Sequence, residues 1–470
     1  MQPATPPPTF RDPAGSLRLE DQRAVRSIHA AARESVQEFL DSPLRQQLEE
    51  RGDMVSTTIA DAGTALQLIH PRIPIATYPW EWTPGQWLAA AELTLTLCEE
   101  ALAEGWILKD ATPLNILFLG PRPVLVDVLS FEPLAPGTSI WLAYGQYMRT
   151  FLLPLLMDRL LHWPLALSLF KRDGYEPAEL YTALSWGQRL SAAALVPITL
   201  PALLERRTTS ATAAPPAKKD RELALHILRR TLAGLRRRTQ RALPRSDASE
   251  WSSYTDSLSH YTAAESAEKV AFVREALEEL RPARVLDIGA NTGEFSALAA
   301  SLGASVVALE RDAAAADRLF QRAQQQQLDI LAVHADLARP TPAVGWENSE
   351  SAPLLARLEG QSDLVLMLAV IHHVLLMEQI PLPAILALLH RLTRRHLLLE
   401  WVPVADPMFQ SLLRGRDELY ASLSEQDLLS ACDSLFRTVR RQPLANGRVL
   451  FLLEVIPAAA DGEPTNGASA

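Results

Sequence analysis

Lysine is scarce in this chain of 470 residues, because arginine supplies most of its 45 basic side chains and lysine only five. Lys109 is the first lysine along the sequence. Cysteine is scarcer still, with Cys98 and Cys432 in different halves of the chain. Two such distant cysteines argue against a disulfide framework and predict a protein of the reducing cytoplasm.

Long uncharged apolar runs are also missing. The most apolar stretch, 151–170, is interrupted by Asp158, Arg159 and His162. Because a membrane-spanning helix needs about 20 nearly uncharged residues, this stretch predicts buried helices and no membrane span. The net charge of -10 gives no general attraction to nucleic acid, so no nucleic-acid partner is expected. An apolar content of 48% indicates globular domains.

A change of composition divides the chain. Residues 206–220 combine prolines, alanines, threonines and basic side chains, which is typical of a surface linker. The basic helix expected after it has leucines at helical spacing, and a solvated connector is a commoner explanation than an RNA-binding patch. The predicted organisation is a disordered tail at 1–9, a first module at 10–205, linker and basic helix at 206–245, a second domain at 246–457 and a disordered tail at 458–470.

A glycine loop follows a buried strand in the second domain. The run 284–295 reads as a strand ending in Asp287, a turn with Gly289 and Gly293, and the start of a helix. Glycine permits the tight turn and the close approach of a ligand to the backbone. The next predicted strand, 305–309, ends in Glu310, at the spacing of an acid that accepts hydrogen bonds from ribose hydroxyls.

The pattern Asp-x-Gly-x-Asn-x-Gly resembles the first motif of class I S-adenosylmethionine-dependent methyltransferases. Dinucleotide dehydrogenases instead favour three glycines, and a loop without a pyrophosphate to hold can carry Asn291. The resemblance implies an S-adenosylmethionine cofactor, with an acid after the third strand reaching the adenine amino group. The implied cofactor-binding residues are Asp287, Gly289, Asn291, Gly293, Glu310 and Asp336.

Further strands complete an α/β fold. Runs at 331–336, 362–373 and 397–402 read as the third, fourth and fifth strands, with Arg394-Arg395-His396 as a basic turn before the fifth. Asn446-Gly447 between two apolar runs predicts a hairpin. We therefore expect a Rossmann-like class I methyltransferase sheet with a terminal antiparallel hairpin, preceded by an α+β module.

His372 and His373 are the candidate catalytic residues. A hydroxyl acceptor needs a base, and the end of the fourth strand is a place for one, although a structural or cofactor-contacting role is the commoner explanation. No acids stand at metal-ligand spacing nearby, so no metal site is expected.

Several aromatic and polar residues were candidates for the acceptor side of the site. Trp346 and Asn348 lie in a loop that lines the acceptor pocket or is simply a surface loop, and Glu400 and Trp401 end the fifth strand. Aromatic residues before the first strand often form a lid in this family; here they are Trp251, Tyr254 and Tyr261, for which core packing or solvent exposure remain open.

The first half contains Asp110, Asn115 and, after the next predicted strand, Asp127. This spacing resembles the catalytic and metal-binding loops of protein kinase-like folds, in which the first acid orients a hydroxyl and the other two residues hold magnesium. The departures are the missing upstream lysine, the missing glycine-rich loop and the Val128-Leu129 pair after the second acid. A degenerate module is therefore the alternative, with Asp110 and Asn115 tying the loop together.

The combination of the two halves resembles a group of bacterial proteins related to nodulation-associated methyltransferases. That resemblance implies methyl transfer to an oxygen of a small molecule or saccharide. Two rivals remain: an enzyme whose first module also binds or uses ATP, and a protein that senses the cofactor without turnover.

Overall fold

The computed structural model describes residues 11–61, 66–205, 220–244 and 262–457. The predicted tails, most of the predicted linker and the three aromatic residues Trp251, Tyr254 and Tyr261 lie outside these ranges. The chain forms two compact units. The first comprises Met1–Ser252, Asp312–Ala335 and Thr341–Leu354; the second comprises Ser253–Arg311, Asp336–Pro340 and Leu355–Ala470. The domain boundaries predicted above stay a prediction.

The N-terminal α+β region carries a four-stranded antiparallel sheet in the order β1-β2-β4-β3. In β4, Leu66, Leu68 and His70 are buried and alternate with half-exposed neighbours, as the period of a strand requires. Two short antiparallel ribbons follow, β5 with β8 and β6 with β7. The strands are β1 Gly15–Leu19, β2 Arg23–Ile28, β3 Thr58–Asp61, β4 Leu66–Pro71, β5 Trp106–Leu108, β6 Ile116–Leu119, β7 Arg122–Leu125 and β8 Phe131–Pro133.

The helices of this region include a long one whose start follows from its sequence. Thr83 caps helix Pro84–Ala103 and forms a capping box with Gln86, while Pro84 takes the first helical position. The α-helices described here are Arg33–Leu40, Pro43–Arg51, Pro84–Ala103, Tyr144–Tyr147, Leu153–Leu161, Pro177–Ala183, Trp186–Arg189, Leu200–Glu205 and Arg221–Ala242. Single π-helical turns span Met148–Leu152 and Leu195–Thr199, and 3-10 turns span Ala30–Ala32, Pro79–Glu81, Pro113–Asn115, Val128–Ser130 and Leu165–Phe170.

Helix Pro84–Ala103 packs inside the first unit against a segment from much later in the chain, helix Ala313–Gln326. The backbone N–H of Gly85 donates to Asp317 at 2.7 Å, and the buried Gln86 side chain donates to the carbonyl of Ala332 at 3.0 Å. A Cβ on Gly85 would lie 2.9 Å from the Phe320 ring. The first unit therefore joins the N-terminal region to part of the predicted methyltransferase sequence.

The second half contains a seven-stranded sheet in the order β11-β10-β9-β12-β13-β15-β14. Strand β9 pairs in parallel with β10 and β12, β12 pairs in parallel with β13, and the terminal hairpin β14–β15 adds antiparallel to β13. The strands are β9 Arg284–Ile288, β10 Ser305–Glu310, β11 Ile330–His334, β12 Ser362–Met367, β13 Thr393–Trp401, β14 Phe436–Pro443 and β15 Val449–Val455. The predicted α/β fold with its terminal hairpin is confirmed.

The helices of the second half lie between these strands in sequence. They are Ala263–Leu280, Glu294–Ser301, Ala313–Gln326, Leu354–Leu358, Ile371–Leu376, Leu382–Leu392, Pro407–Leu413, Asp417–Tyr420 and Glu425–Cys432, with a 3-10 turn at Trp346–Asn348. The first of them begins where Thr262 and Glu265 form a capping box.

Two local predictions were wrong. The fourth strand ends at Met367 rather than continuing to His373, because the backbone takes a positive φ of 55° at Ala369 and then enters helix Ile371–Leu376. Arg394-Arg395-His396 is not a turn, since β13 already begins at Thr393. In both places the apolar pattern was correct, but it could not fix where regular strand geometry starts or stops.

Candidate functional site

The glycine loop after β9 has the tight geometry that its sequence predicts. Gly289, Asn291 and Gly293 all have positive φ, at 73°, 49° and 80°. The N–H of Gly289 donates to the Leu309 carbonyl at 2.8 Å. A Cβ on Gly289 would lie 2.3 Å from Val370, so this position excludes any side chain.

Asp287 is the buried acid at the base of this loop. Its carboxylate accepts a hydrogen bond of 2.6 Å from the Ser296 hydroxyl, on the helix that the loop opens. Burial raises the pKa of Asp287 to about 6; the Glu310 charge acts in the same direction, while Ser296 and the Lys269 ammonium oppose it. The loop thus encloses a carboxylate that a nearby positive charge would stabilise.

Glu310 ends β10, beside Asp287 in the sheet. Its carboxylate accepts a hydrogen bond of 2.9 Å from the backbone N–H of Asn291, and the residue is 8% exposed. The second strand end and the glycine loop are therefore tied directly to each other. This contact places two predicted cofactor residues together, within the same loop that Asp287 supports.

Asp336 lies two residues beyond β11, on the next strand end of the sheet order. Its carboxylate accepts from the N–H of Ala338 at 2.9 Å and pairs with Arg339 at 3.4 Å. Arg339 also pairs with Glu378. Asp336 is therefore held by its own loop, and its predicted role toward adenine stays a prediction.

The histidine pair opens a helix next to the glycine loop. Val370, which packs over Gly289, directly precedes helix Ile371–Leu376, in which His372 and His373 occupy the first turn. Their rings lie 4.2 Å apart and His372 is 2% exposed. Burial lowers the pKa of His373 to about 4, and the cations Arg311 and Arg448 add to that effect. His373 is therefore neutral at pH 7, as a general base must be.

A buried network of four charges was missed by the sequence reasoning. Lys269 pairs with Glu400 at 2.7 Å, and Arg448 reaches the other oxygen of Glu400 at 3.4 Å. Arg448 also binds Asp406 through Nε at 2.7 Å and Nη2 at 3.2 Å. Burial alone would raise the pKa of Asp406, but the hydrogen bonds and charge of Arg448 lower it. We name these residues the charge network.

The available signal for this network was weak but real. Lys269 stands on the apolar face of helix Ala263–Leu280, beside the buried Phe272 and Val273. Arg448 comes directly after the hairpin turn, at the edge where β13 ends and β15 begins. A charge in an otherwise apolar stripe predicts a buried partner, yet the sequence does not say which one.

The remaining candidates for the acceptor side, Trp346, Asn348 and Trp401, differ in how exposed their surroundings are. Trp346 is 58% exposed, and its loop closes on itself through the Trp346 N–H and Glu350, at 2.8 Å. Arg11 and Arg172 also bind Glu350, and its pKa falls to about 2 because their hydrogen bonds outweigh burial. Trp346 and Asn348 therefore belong to a surface loop. Trp401 is buried.

The three kinase-like residues form one cluster in the N-terminal region. Asn115 donates to the Ser130 hydroxyl at 3.0 Å, and Ser130 donates to Asp127 at 2.8 Å. Burial raises the pKa of Asp110, and the charge of Asp127 adds to the rise. No group of three or more potential metal-ligating His, Cys, Asp or Glu residues occurs within the described ranges. The roles of these residues stay predictions.

Arg26 is the residue that the sequence reasoning missed here. It lies in β2, is 3% exposed and pairs with Asp127 at 3.0 Å, with Asp12 also at 3.6 Å. The chain has no lysine before Lys109, but the buried Arg26 places a cation beside Asp127. The signal was a charged residue in a strand, next to the apolar Val25 and two positions before the apolar Ile28.

Comparisons with known proteins agree with this geometry. A family model described as "Methyltransferase domain" matches residues 258–418. The chain is 28% identical over 467 residues to the nodulation protein NoeA of Rhizobium meliloti, covering 95% of each sequence. The chain is an S-adenosylmethionine-dependent methyltransferase. The matched part of this methyltransferase includes the glycine loop, the acids Glu310 and Asp336, and the pair His372 and His373.

The methyltransferase also resembles three solved structures over part of its length. The bifunctional kinase-methyltransferase WbdD is 18% identical, with 43% of this chain and 42% of WbdD covered and a TM-score of 0.32. Magnesium protoporphyrin IX methyltransferase from Synechocystis PCC 6803, with bound SAH, is 19% identical over 41% of this chain and 84% of that one, at a TM-score of 0.30. The N-methyltransferase NodS from Bradyrhizobium japonicum WM9 is 14% identical over 41% and 97%, at 0.31. These scores carry no argument about the acceptor.

The cofactor fits the residues present. S-adenosylmethionine carries a sulfonium and an ammonium group, and its reactive methyl group is what it supplies when bound. Two buried carboxylates, Asp287 and Glu310, lie where such positive charge relieves their mutual repulsion. In the parts of the chain that the structure describes, no helix is long and apolar enough to cross a membrane.

Proposed function

We propose that this methyltransferase transfers the methyl group to a hydroxyl oxygen of a small molecule or saccharide, with His373 as the general base. In this proposal S-adenosylmethionine is held by Asp287, Gly289, Asn291, Gly293, Glu310 and Asp336. The observation that carries the base assignment is a histidine kept neutral by burial and two cations, three residues beyond the side chain that covers the cofactor loop.

In this proposal His373, His372 and the charge network have separate roles. When bound, S-adenosylmethionine would supply an electrophilic methyl group, and an imidazole nitrogen of His373 would take the proton of the acceptor hydroxyl. The His372 ring lies 4.2 Å from the His373 ring at an interplanar angle of 42°, and its proposed role is to limit the rotation of that ring. Positioning contributes much of the rate of such an in-line transfer. The charge network holds the end of β13, the start of β15 and the start of helix Pro407–Leu413 together, at the edge of the sheet where β13 ends.

The test is replacement of His373 by asparagine. Removing a general base lowers turnover by roughly 100-fold or more, whereas calorimetric affinity for S-adenosylmethionine should stay unchanged. Turnover is followed as release of S-adenosylhomocysteine with a panel of hydroxyl and amine acceptors. His396→Asn is the matched control, because that histidine lies in β13, away from the glycine loop. Equal turnover in His373→Asn and the wild type refutes the base assignment, and activity confined to amines refutes the oxygen acceptor.

A second candidate function is magnesium-ATP binding by the N-terminal α+β region. The specific observation in its favour is Arg26, a buried cation paired with Asp127 in a region that has no lysine upstream of Lys109. A guanidinium binds phosphate oxygens in a bidentate way. In this proposal, phosphates draw Arg26 away from Asp127, which then accepts the metal together with Asn115.

Calorimetry with magnesium-ATP tests this second function. We expect the wild type to bind and Arg26→Met to lose at least tenfold in affinity, while Arg26→Lys keeps part of it. Arg18→Met, on the neighbouring β1 and with a side chain 71% exposed, is the control. If the wild type shows no heat of binding, or if Arg26→Met binds equally well, the N-terminal region is not a nucleotide site of this kind.

We also propose a cytoplasmic location. Both cysteines, Cys98 and Cys432, are free and buried, and burial raises the pKa of each thiol to about 12. Thiols held protonated in this way suit a reducing compartment.

A further inference from the structure

The basic helix that the sequence predicts after the linker is helix Arg221–Ala242. From residue 229 to residue 241 it contains six arginines and no acidic side chain. The whole chain has a net charge of -10, so this stretch is opposite in sign to the protein that carries it. Neither proposed site uses the helix, and its charge is therefore still without a function.

One face of this helix is fixed to the N-terminal region. Its buried leucines are Leu228, Leu232 and Leu235. The Thr239 and Tyr147 hydroxyls share a hydrogen bond of 2.9 Å, and Arg236 pairs with Glu99 of helix Pro84–Ala103 at 2.8 Å. An amphipathic helix inserts into a membrane through a free apolar face, and here that face is already packed against protein.

The opposite face of the helix carries exposed arginines. They are Arg229, Arg230, Arg237, Arg238 and Arg241. None of these five forms an ion pair or a hydrogen bond with any residue in the described part of the chain. With about 3.6 residues per turn, Arg230, Arg237 and Arg241 project within about 40° of one another around the helix axis, and the other two flank them. We name these five residues the arginine face.

The shape of the arginine face favours a flat anionic surface. At a rise of about 1.5 Å per residue, it extends over roughly 18 Å between Arg229 and Arg241. A guanidinium binds phosphate oxygens through two parallel hydrogen bonds. A flat layer of phosphates reaches the whole row at once, whereas the cylinder of a nucleic-acid duplex curves away from it. Entry into a major groove needs a helix that is exposed on most of its sides, and this helix is packed along one.

We propose that the arginine face binds the anionic phosphates of lipid headgroups at a membrane surface. The contact is electrostatic and peripheral, because the apolar face of the helix stays packed against protein. An anionic membrane surface increases the affinity by about fivefold for each basic side chain that reaches it. The same surface repels the net negative charge of the rest of the chain, so the protein approaches with this face. This inference depends on neither the methyl acceptor nor nucleotide binding.

The test is sedimentation of the full-length protein with vesicles. One set contains phosphatidylcholine alone, and the other contains phosphatidylcholine mixed with phosphatidylglycerol. We expect binding to the anionic vesicles at low salt, no binding to the neutral ones, and release at about 1 M sodium chloride, where the Debye length is about 3 Å.

A double variant locates the binding surface. Arg237→Gln combined with Arg241→Gln keeps good helix formers and should weaken vesicle binding by about 25-fold, at about fivefold for each arginine. Arg394→Gln combined with Arg395→Gln is the control, because it changes the net charge equally at two exposed arginines of β13. It should keep most of the affinity. If the first double variant fails to fold, Arg241→Gln alone should lose about fivefold.

Four outcomes overturn the proposal. The first is no binding of the wild type to anionic vesicles, and the second is equal binding to neutral ones. The third is an equal loss in both double variants, which reduces the effect to net charge. The fourth is binding of a double-stranded DNA oligonucleotide, lost in the Arg237→Gln and Arg241→Gln double variant, at a salt concentration where vesicles do not bind; a nucleic acid then replaces the membrane.

Discussion

At the scale of single residues, the glycine loop after β9 combines steric and electrostatic demands. Gly289 is required because Val370 occupies the space of a side chain, and Asp287 is buried beside a second carboxylate. Burial of two like charges raises the free energy of the empty loop. A positively charged ligand lowers it, which is the electrostatic argument for the proposed cofactor site.

The raised pKa of Asp287 predicts a pH dependence of cofactor binding. Since that pKa is about 6, the carboxylate is ionised above pH 6 and becomes protonated below it. A cationic cofactor prefers the ionised form, so the affinity for S-adenosylmethionine should be constant at pH 7–8 and fall as the pH drops through about 6. Calorimetry across this range measures the effect.

Ser296→Ala provides the matched variant for this prediction. The Ser296 hydroxyl donates to Asp287 and opposes the rise of its pKa. Its removal should move the midpoint of the affinity curve to higher pH. A curve that is flat from pH 5 to pH 8 in both proteins would show that Asp287 does not titrate in the site.

At the scale of secondary-structure elements, the charge network joins parts that are distant in sequence. It connects helix Ala263–Leu280, the end of β13, the start of β15 and the cap of helix Pro407–Leu413. Burying four charges is costly, but each one is paired here. Removal of one partner leaves an uncompensated buried charge, so the network holds these elements together.

Arg448→Met should therefore destabilise the protein strongly. It leaves Asp406 and Glu400 without the guanidinium, and breaking a buried pair costs about 3–5 kcal/mol. Arg437→Met, in the adjacent β14, is the comparison. It removes the ion pair between Arg437 and Glu454, in which the arginine side chain is 72% exposed. Such a pair contributes about 0–1 kcal/mol. Urea unfolding of both variants compares the two losses; similar values would mean that the network carries no special stability.

At the scale of the whole molecule, the first unit contains segments from both halves of the sequence. Helix Ala313–Gln326 and β11 belong to the methyltransferase sequence, yet they form one compact unit with the N-terminal region. Strand β11 stands at the end of the sheet order, and the side chain of Gln86 donates to one of its carbonyls. An edge strand with a partner of this kind is protected from pairing with other chains.

Gln86→Glu should expose this dependence. The new carboxylate can still accept from the Thr83 N–H in the capping box, but it cannot donate to the Ala332 carbonyl. An unsatisfied buried group costs about 1–3 kcal/mol, so thermal unfolding should begin at a lower temperature. Gln46→Glu, on the exposed side of another helix, is the control. No difference between the two variants would mean that the N-terminal region adds nothing to the stability of β11.

Local chemistry determined much of this protein. The spacing of apolar residues, glycines and acids fixed the α/β fold, the hairpin at Asn446-Gly447 and the loop with Asp287 and Glu310, because each depends on residues close in sequence. The tertiary structure alone decided that His373 lies in the first turn of a helix, that Arg26 faces Asp127 and that Lys269, Glu400, Arg448 and Asp406 meet. Those contacts join residues up to 131 positions apart, as Lys269 and Glu400 are, and a side chain's partner at that distance depends on how the elements pack rather than on its neighbours in the chain.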